Sequence, residues 1–383
     1  TVPYTAMNTY AMGKLKAAET AARAASFTLD GTWINGNAWS NTQLADYLLA
    51  WQARCAANAP RTSAEADAAN WTQIIADGTA GIRNVDVTGE DSSSDTPWWD
   101  GLKSLMAENA TWHRMHMDWA GMADQSGQYQ DWLSFPTEQR TARQMTFVDT
   151  RYPANNVNGE RGSKHQYNST IIFRPERGTY RQSHYGDIRH DAYQSSCSFC
   201  FFGPMSHMIA AEFDHYKAEG LYRAGDYAGT AAIVNVSRAA AGLPDAPSDA
   251  TSAVPGPNCT PKKRYDVSGR CGNLQDAMWF EHFEEVFNIF GGLEFWHGRR
   301  NNILPAGTAL HLPMPAADLE VLQQAIYTFG GVGGEAAAGN PIPPSVVPGN
   351  LNSALERATF TLARMEEWQD RMKRAKSTDL VVR

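Results

Sequence analysis

Three clusters of side chains have the types and spacing that chemistry would need. His113 and His116 in WHRMHMDW sit three apart with Asp118 near. On a helix, two imidazoles at that spacing could share a metal, but no further ligand is placed by spacing. His184 and His190 in SHYGDIRHD are similar in kind and equally unsupported. Glu281, His282, Glu284 and Glu285 lie close together in EHFEE, which is not the HEXXH pattern of a zinc hydrolase. Surface or core histidines account for all three, so neither a metal nor a cofactor is expected. No G-x-S-x-G, no P-loop and no G-x-G-x-x-G opening a helix occurs. A carboxylate pair for glycoside hydrolysis is a matter of spatial separation, which spacing in the chain does not show.

Aromatic residues give the stronger signal. The 383 residues include 12 Trp and 14 Tyr. Trp98 and Trp99 stand side by side in SDTPWWDG, a loop context, and Trp112, Trp119, Tyr129 and Trp132 follow. A loop-borne indole offers a flat face on which a sugar ring can stack. The competing role is to anchor loops to the body. Trp98 and Trp99 are the leading candidates for ligand contact, with Tyr129 and Trp132 behind them.

Cysteines speak for the compartment. Cys259 and Cys271 bracket CTPKKRYDVSGRC, a loop with little else to order it, so a disulfide is expected there, worth about 3 kcal/mol in the chain-entropy model. Cys197 and Cys200 form CSFC. No βαβ pattern surrounds it, which favours a local structural disulfide over a redox pair. Cys55, inside a helical run, reads as a buried free thiol. Two disulfides imply an oxidising compartment. A net charge of -8 and a pI near 5.7 argue against a nucleic-acid partner. Lys262 to Arg264 is a short basic run that reads as a solvated loop.

The elements that must position these groups are mainly helical. An Ala-rich helix is expected over 3–26, then an extended, aromatic-decorated loop to Ser40. Ser40 or Asn41 caps a helix over Leu44 to Ala57, and Ser63 caps another through Trp71, Ile74, Ile75 and Ile82. From Pro204 to Pro244 two more helices pair through small facing residues, as in a tetratricopeptide hairpin, with Met208 on the first and a break at Gly225 and Asp226. Residues 272–290 form a further helix, followed by a turn, an extended pair and a short helix opened at Pro315. Between them, residues 84–196 are Gly-, Asn-, Pro- and aromatic-rich, with short helical pieces such as Ala107 to Trp119. Long structured insertions are usually functional, so ligand contact is expected there and not on the hairpins. Residues 331–350 read as a Gly/Pro-rich linker and 351–383 as a helical tail.

Four stretches in order resemble the SusD/RagB-like nutrient-binding outer-membrane lipoproteins. They are TWINGNAWSNTQLADYLLAWQARCAANAPRTSAEADAANW, AEFDHYKAEGLYRAGDYAGTAAIVNVSRAAAGLP, CGNLQDAMWFEHFEEVFNIFGGLEFWHGRRNN and LPAGTALHLPMPAADLEVL. The resemblance covers most of 1–330 and implies a SusD-like fold of helical hairpins with a loop-rich insertion. It also implies a function: a non-enzymatic protein on the cell-surface side of the outer membrane, binding oligosaccharides or peptides for a SusC-like TonB-dependent transporter. Members carry an N-terminal region with a lipobox cysteine. Thr1 begins inside the matched part, so membrane association is expected through a lipid anchor not present in this chain. Two other readings stay open: a polysaccharide-active hydrolase or lyase on a helical scaffold, and a structural subunit of a surface assembly.

Overall fold

Capping chemistry marks out the helices. In a computed structural model of the chain, residues 3–34, 36–89, 114–136, 139–170, 181–191, 203–256, 259–305, 308 and 315–323 are described. Helix α1 (Tyr4–Ala24) leads through a two-residue ribbon, β1 (Thr28–Leu29) against β2 (Trp39–Ser40), into α2 (Asn41–Asn58). Ser40 closes a capping box: its Oγ accepts from Gln43 N at 3.2 Å, and its own N–H donates to Gln43 Oε1 at 3.0 Å. The next helical run is interrupted. Thr62, not Ser63, caps the short α3 (Ser63–Asp67). Asn70 then accepts from Gln73 N and starts α4 (Trp71–Ala80), so a second cap divides what reads in sequence as one helix.

Strand β3 (Val85–Gly89) pairs antiparallel with β7 (Gly203–Met208), bringing the two ends of the insertion together. This corrects the placement of Met208 on a helix. Met205 and Met208 are buried on the strand, and α7 (Ala210–Arg223) begins only after Ile209. Within the insertion, β4 (Arg114–His116), β6 (Gln182–Asp187) and β5 (His165–Tyr167) form a three-stranded antiparallel sheet with β6 in the centre. Arg114 to His116 is therefore strand where a helix was expected. Among the described residues of that stretch the helix is α5 (Met117–Ala120), with α6 (Gln128–Ser134) following.

The late hairpin folds as its small residues dictate. Gly225, at φ 81°, turns the chain, and Asp226 caps α8 (Tyr227–Ala240) by accepting from Gly229 N at 2.8 Å. The Thr230 hydroxyl donates across the pair to Ala218 O at 3.2 Å. On its other side α7 packs on α4 so closely that a Cβ at Gly220 would stand 2.9 Å from Ile75 Cδ1. Asn273 and Asp276 form a second capping box at the head of α9 (Leu274–Val286). Asn288, at φ 64°, bends the chain out of that helix. In the segment after it, Leu293–Arg300 forms α10, a helix that the sequence did not suggest.

Apolar clusters fill this body, among them a small one of Val286, Ile289 and Leu293 and three larger ones. One gathers the insertion's aromatics against Phe280 and Phe283 of α9. Another lies between α2, α4, α7 and the β3–β7 ribbon, and the third between α7, α8 and α9. The Cys259–Cys271 disulfide forms, with the two Cα atoms 5.5 Å apart. The chain separates into two compact units, 1–303 and 304–383, whereas the sequence reading set its boundary after 330. In the second unit, α11 (Ala316–Val321) follows Pro315.

Candidate functional site

The residues expected to touch ligand fall in two groups. Trp98 and Trp99 lie outside the described residues, as do Trp112, His113, Cys197 and Cys200. Tyr129 and Trp132 are described, and both are 0% exposed. Their rings stack 6.1 Å apart at 23°, Arg140 covers Trp132 at 4.7 Å, and the Tyr129 hydroxyl accepts from Tyr265 N at 3.2 Å. This corrects the expectation of ligand-facing rings. The sheet of the insertion is small, so its core is built from large side chains. Trp119 is spent in the same way, stacked on Phe283 at 4.2 Å.

The titratable clusters are also committed. Asp118 is wholly buried and bound by His116 Nδ1 at 3.1 Å, Arg181 at 2.8 Å and the Tyr265 hydroxyl at 3.0 Å. Burial alone would raise its pKa; the His116 hydrogen bond and the charges of Arg264 and Arg181 outweigh this and hold it well below the usual carboxylate range. Arg264 lies 4.5 Å over Trp119 and Lys262 Nζ donates to Asp124 O, so this basic run is built into the body and is not a solvated loop. In EHFEE, Glu281 holds Arg151 at 2.6 Å, Glu284 holds His165 at 2.9 Å and the Tyr152 hydroxyl at 2.6 Å, and Glu285 holds Lys164 at 2.6 Å. His184 meets Asn168 O at 3.3 Å and His190 meets Asn288 O at 2.7 Å. These groups form an internal ionic framework.

Open space lies on the helical hairpins. A cavity of about 520 Å³ is bounded by α3, α7, α8, α9 and the residues after α10. Tyr222 lies in the last turn of α7 and Tyr227 begins α8, so the Gly225–Asp226 turn sets the two rings face to edge, 5.2 Å apart at 62°. Trp279 joins them from α9, and Gln275, Asn301 and Asn302 bring amides to the same space. Arg223 ties the floor together: it donates to Glu219 at 2.9 Å, to Asn301 Oδ1 at 2.7 Å, and to Asp67.

Glu219 decides what this cavity can do. Arg300 grips it at 2.7 Å, and Asn301 Nδ2 donates to it at 3.2 Å. Burial would raise the carboxyl's pKa, but the Arg300 and Arg223 guanidiniums bring it down to about 2. A carboxylate held so low is no general acid near neutral pH. Rings, amides and a clamped carboxylate thus line one cavity, the combination of flat faces and hydrogen-bonding groups that suits a polar ring. The sequence reading missed this site because the hairpin seemed used up in packing. The available signal was the pair of tyrosines flanking a Gly-Asp turn.

No protein-family model matches the sequence, and no curated protein matches it. In three dimensions the chain is similar in part to a SusD-like protein from Bacteroides fragilis NCTC 9343, at 14% identity and a TM-score of 0.37, over 75% of this chain and 58% of that one. This chain thus spans little more than half the length of that protein.

Proposed function

We propose that the chain is a non-enzymatic binding protein that captures oligosaccharides, or peptides, at the cell-surface side of the outer membrane for a SusC-like TonB-dependent transporter. The observation that carries the capture step is the hairpin cavity, where Tyr222, Tyr227 and Trp279 stand among Gln275, Asn301 and Asn302. Sugar rings offer an apolar face for stacking and a rim of hydroxyls for amides. Membrane side and transporter follow from the resemblance along the sequence. A hydrolase using this cavity would need a carboxyl group held near neutrality; Glu219 lies at about 2 and Asp67 is paired to Arg223.

The test is incubation with a panel of oligosaccharides, followed by assays for both retention and product. Binding without cleavage is expected, and Tyr222→Ala with Tyr227→Ala should weaken it about tenfold or more, the scale of losing one or two stacked rings. Release of shorter products would overturn the non-enzymatic reading. Retention unchanged in a folded double variant would remove this cavity from the function.

A further inference from the structure

A second cavity, of about 270 Å³, lies between α1, α2 and α10. Its walls differ in kind from those of the hairpin cavity, because flat rings here alternate with guanidiniums. Trp51 meets Phe290 edge-on at 5.5 Å, and Trp296 stands 6.2 Å from Phe290. Arg54 lies 5.0 Å from the Trp51 ring centre and 4.8 Å from that of Phe290. Arg61 lies 3.6 Å over Tyr4, and Arg299 lines the cavity from α10.

Arg54 is 1% exposed. Its Nε and Nη2 clamp Glu212 at 2.7 and 2.6 Å, and Nη2 also donates to His207 O at 2.7 Å. Nη1 is buried and has no hydrogen-bond partner among the described residues. A buried charged donor without an acceptor is costly, so an acceptor delivered to it regains that cost. Arg299 points the same way: burial, then the like charge of Arg61, brings its guanidinium down to about 10. Glu212 and Glu65 lie among these guanidiniums. The cavity thus sets a buried guanidinium donor, Arg54 Nη1, beside aromatic faces.

We propose that this cavity is a subsite for one hexuronate ring of an acidic oligosaccharide. The carboxylate meets the guanidiniums, and the ring face lies against Trp296 and Trp51. This rests on the reading of the chain as an oligosaccharide-binding protein. The size fits one ring, since cavities for drug-sized ligands run to roughly 300–1,000 Å³. A carboxylate is preferred to a hydroxyl because a charge-assisted hydrogen bond is about twice as strong as a neutral one.

Calorimetry with digalacturonate and a glucuronate-ended disaccharide, each beside its neutral counterpart, tests this. At least one acidic disaccharide should bind about tenfold more tightly than its neutral partner, with the advantage shrinking at high salt. Trp296→Ala and Arg299→Gln should each remove about tenfold of that affinity, Trp296→Phe should restore most of it, and Val236→Ala, on an exposed position of α8 outside both cavities, should leave it unchanged. Melting temperatures identify any variant that has lost its fold; Trp296→Phe keeps the question answerable in that case. Equal binding of acidic and neutral sugars overturns the subsite, as does a loss caused by Tyr227→Ala instead of Trp296→Ala. If neutral oligosaccharides alone bind, through the tyrosine cavity, the subsite fails and the capture reading stands. If no sugar binds, both fail.

Discussion

Tyr129 and Trp132 in the insertion, and Tyr222 and Tyr227 in the late hairpin, are aromatic pairs with ring separations of 6.1 and 5.2 Å. The first pair is sealed in the core; the second is half-buried and lines a cavity. The difference follows from how each region fills its interior. The hairpin packs on small residues such as Ala218, Gly220 and Ala231, which bring backbones together, so that the large side chains at the hairpin's end are only partly covered. Among its described residues, the insertion holds a sheet of three short strands and the two short helices α5 and α6. It closes its core with Tyr129, Trp132, Tyr152, Tyr167 and Tyr185, each covering a large apolar area. Aromatic density there is a packing requirement, while the two rings beside the hairpin turn pack on the α7–α8–α9 cluster by one side and line a cavity with the other.

The largest expected effect breaks this contrast if it is misplaced. Trp132→Ala should cost about 3–5 kcal/mol, the usual range for removing a core tryptophan. Tyr227→Ala, half-exposed at the start of α8, should cost no more than about 1 kcal/mol. Chemical denaturation of the two variants checks the ordering. Equal losses would mean that the hairpin tyrosines are core after all and that the cavity wall is structural.

A second effect sharpens the same contrast through pH. Where α7, α9 and α10 meet, His282 stacks on His297 at 4.0 Å, with His215 5.5 Å from His282. Burial pushes His215 down to about 4, and burial first, then neighbouring charges, hold His282 and His297 well below the ordinary range. The unfolded chain takes up these protons near pH 6.5, and the folded chain does not until about pH 4 or lower. Stability is therefore lost as pH falls through that window, by about 3 kcal/mol for one such imidazole. Glu294 opposes this, because burial raises its carboxyl to about 7 and favours the fold as pH falls toward 4.5. Burial also raises the carboxyls of Glu281, Asp276, Asp191 and Asp77, which act in the same direction as Glu294 but are displaced less far than the three imidazoles, so the imidazoles set the sign. Melting temperature should drop by roughly 5–10 °C between pH 7 and 4.5. Further down, the unfolded chain protonates carboxylates that Glu219 and Glu284, both at about 2, keep charged in the fold, so the loss continues. A profile flat from pH 7 to 4.5 would contradict this placement of the histidines.

Periodicity and caps made the helical body legible. The capping signal at Ser40, the break at Gly225 and Asp226 and the Cys259–Cys271 bridge are local chemistry, and each is found where residue type put it. What was not legible depends on partners distant in sequence. Met208 is a strand residue because Val85 pairs with it, more than a hundred positions earlier. Thr62 and Asn70 compete with Ser63 as caps, and nothing in spacing ranks them. The fate of each aromatic is non-local in the same sense: Tyr129 is buried by the loop that carries Tyr265, and Trp119 by Phe283 of α9. The two cavities need side chains from several helices at once, so their amides and guanidiniums could not be assembled from one window of sequence.

The smallest expected effect concerns Trp98 and Trp99, which the sequence reading made the primary contacts. Both belong to the insertion, where every described large aromatic in the leading cluster serves the core. They differ from those residues in setting: SDTPWWDG is flanked by Ser, Asp and Pro, whereas Tyr129 and Trp132 lie on α6. Two adjacent residues in an extended or turning segment tend to point apart, so at most one of the pair is expected to meet ligand. Loss of that one should weaken oligosaccharide binding by about 1–2 kcal/mol, the scale of one stacked ring with its buried area. Loss of the other should lower the melting temperature and leave affinity alone. Trp98→Ala and Trp99→Ala, titrated separately with a sugar that the parent retains and melted in parallel, distinguish the two roles. If both bind as the parent does while Tyr222→Ala and Tyr227→Ala do not, capture belongs to the hairpin and the insertion serves to hold it in shape.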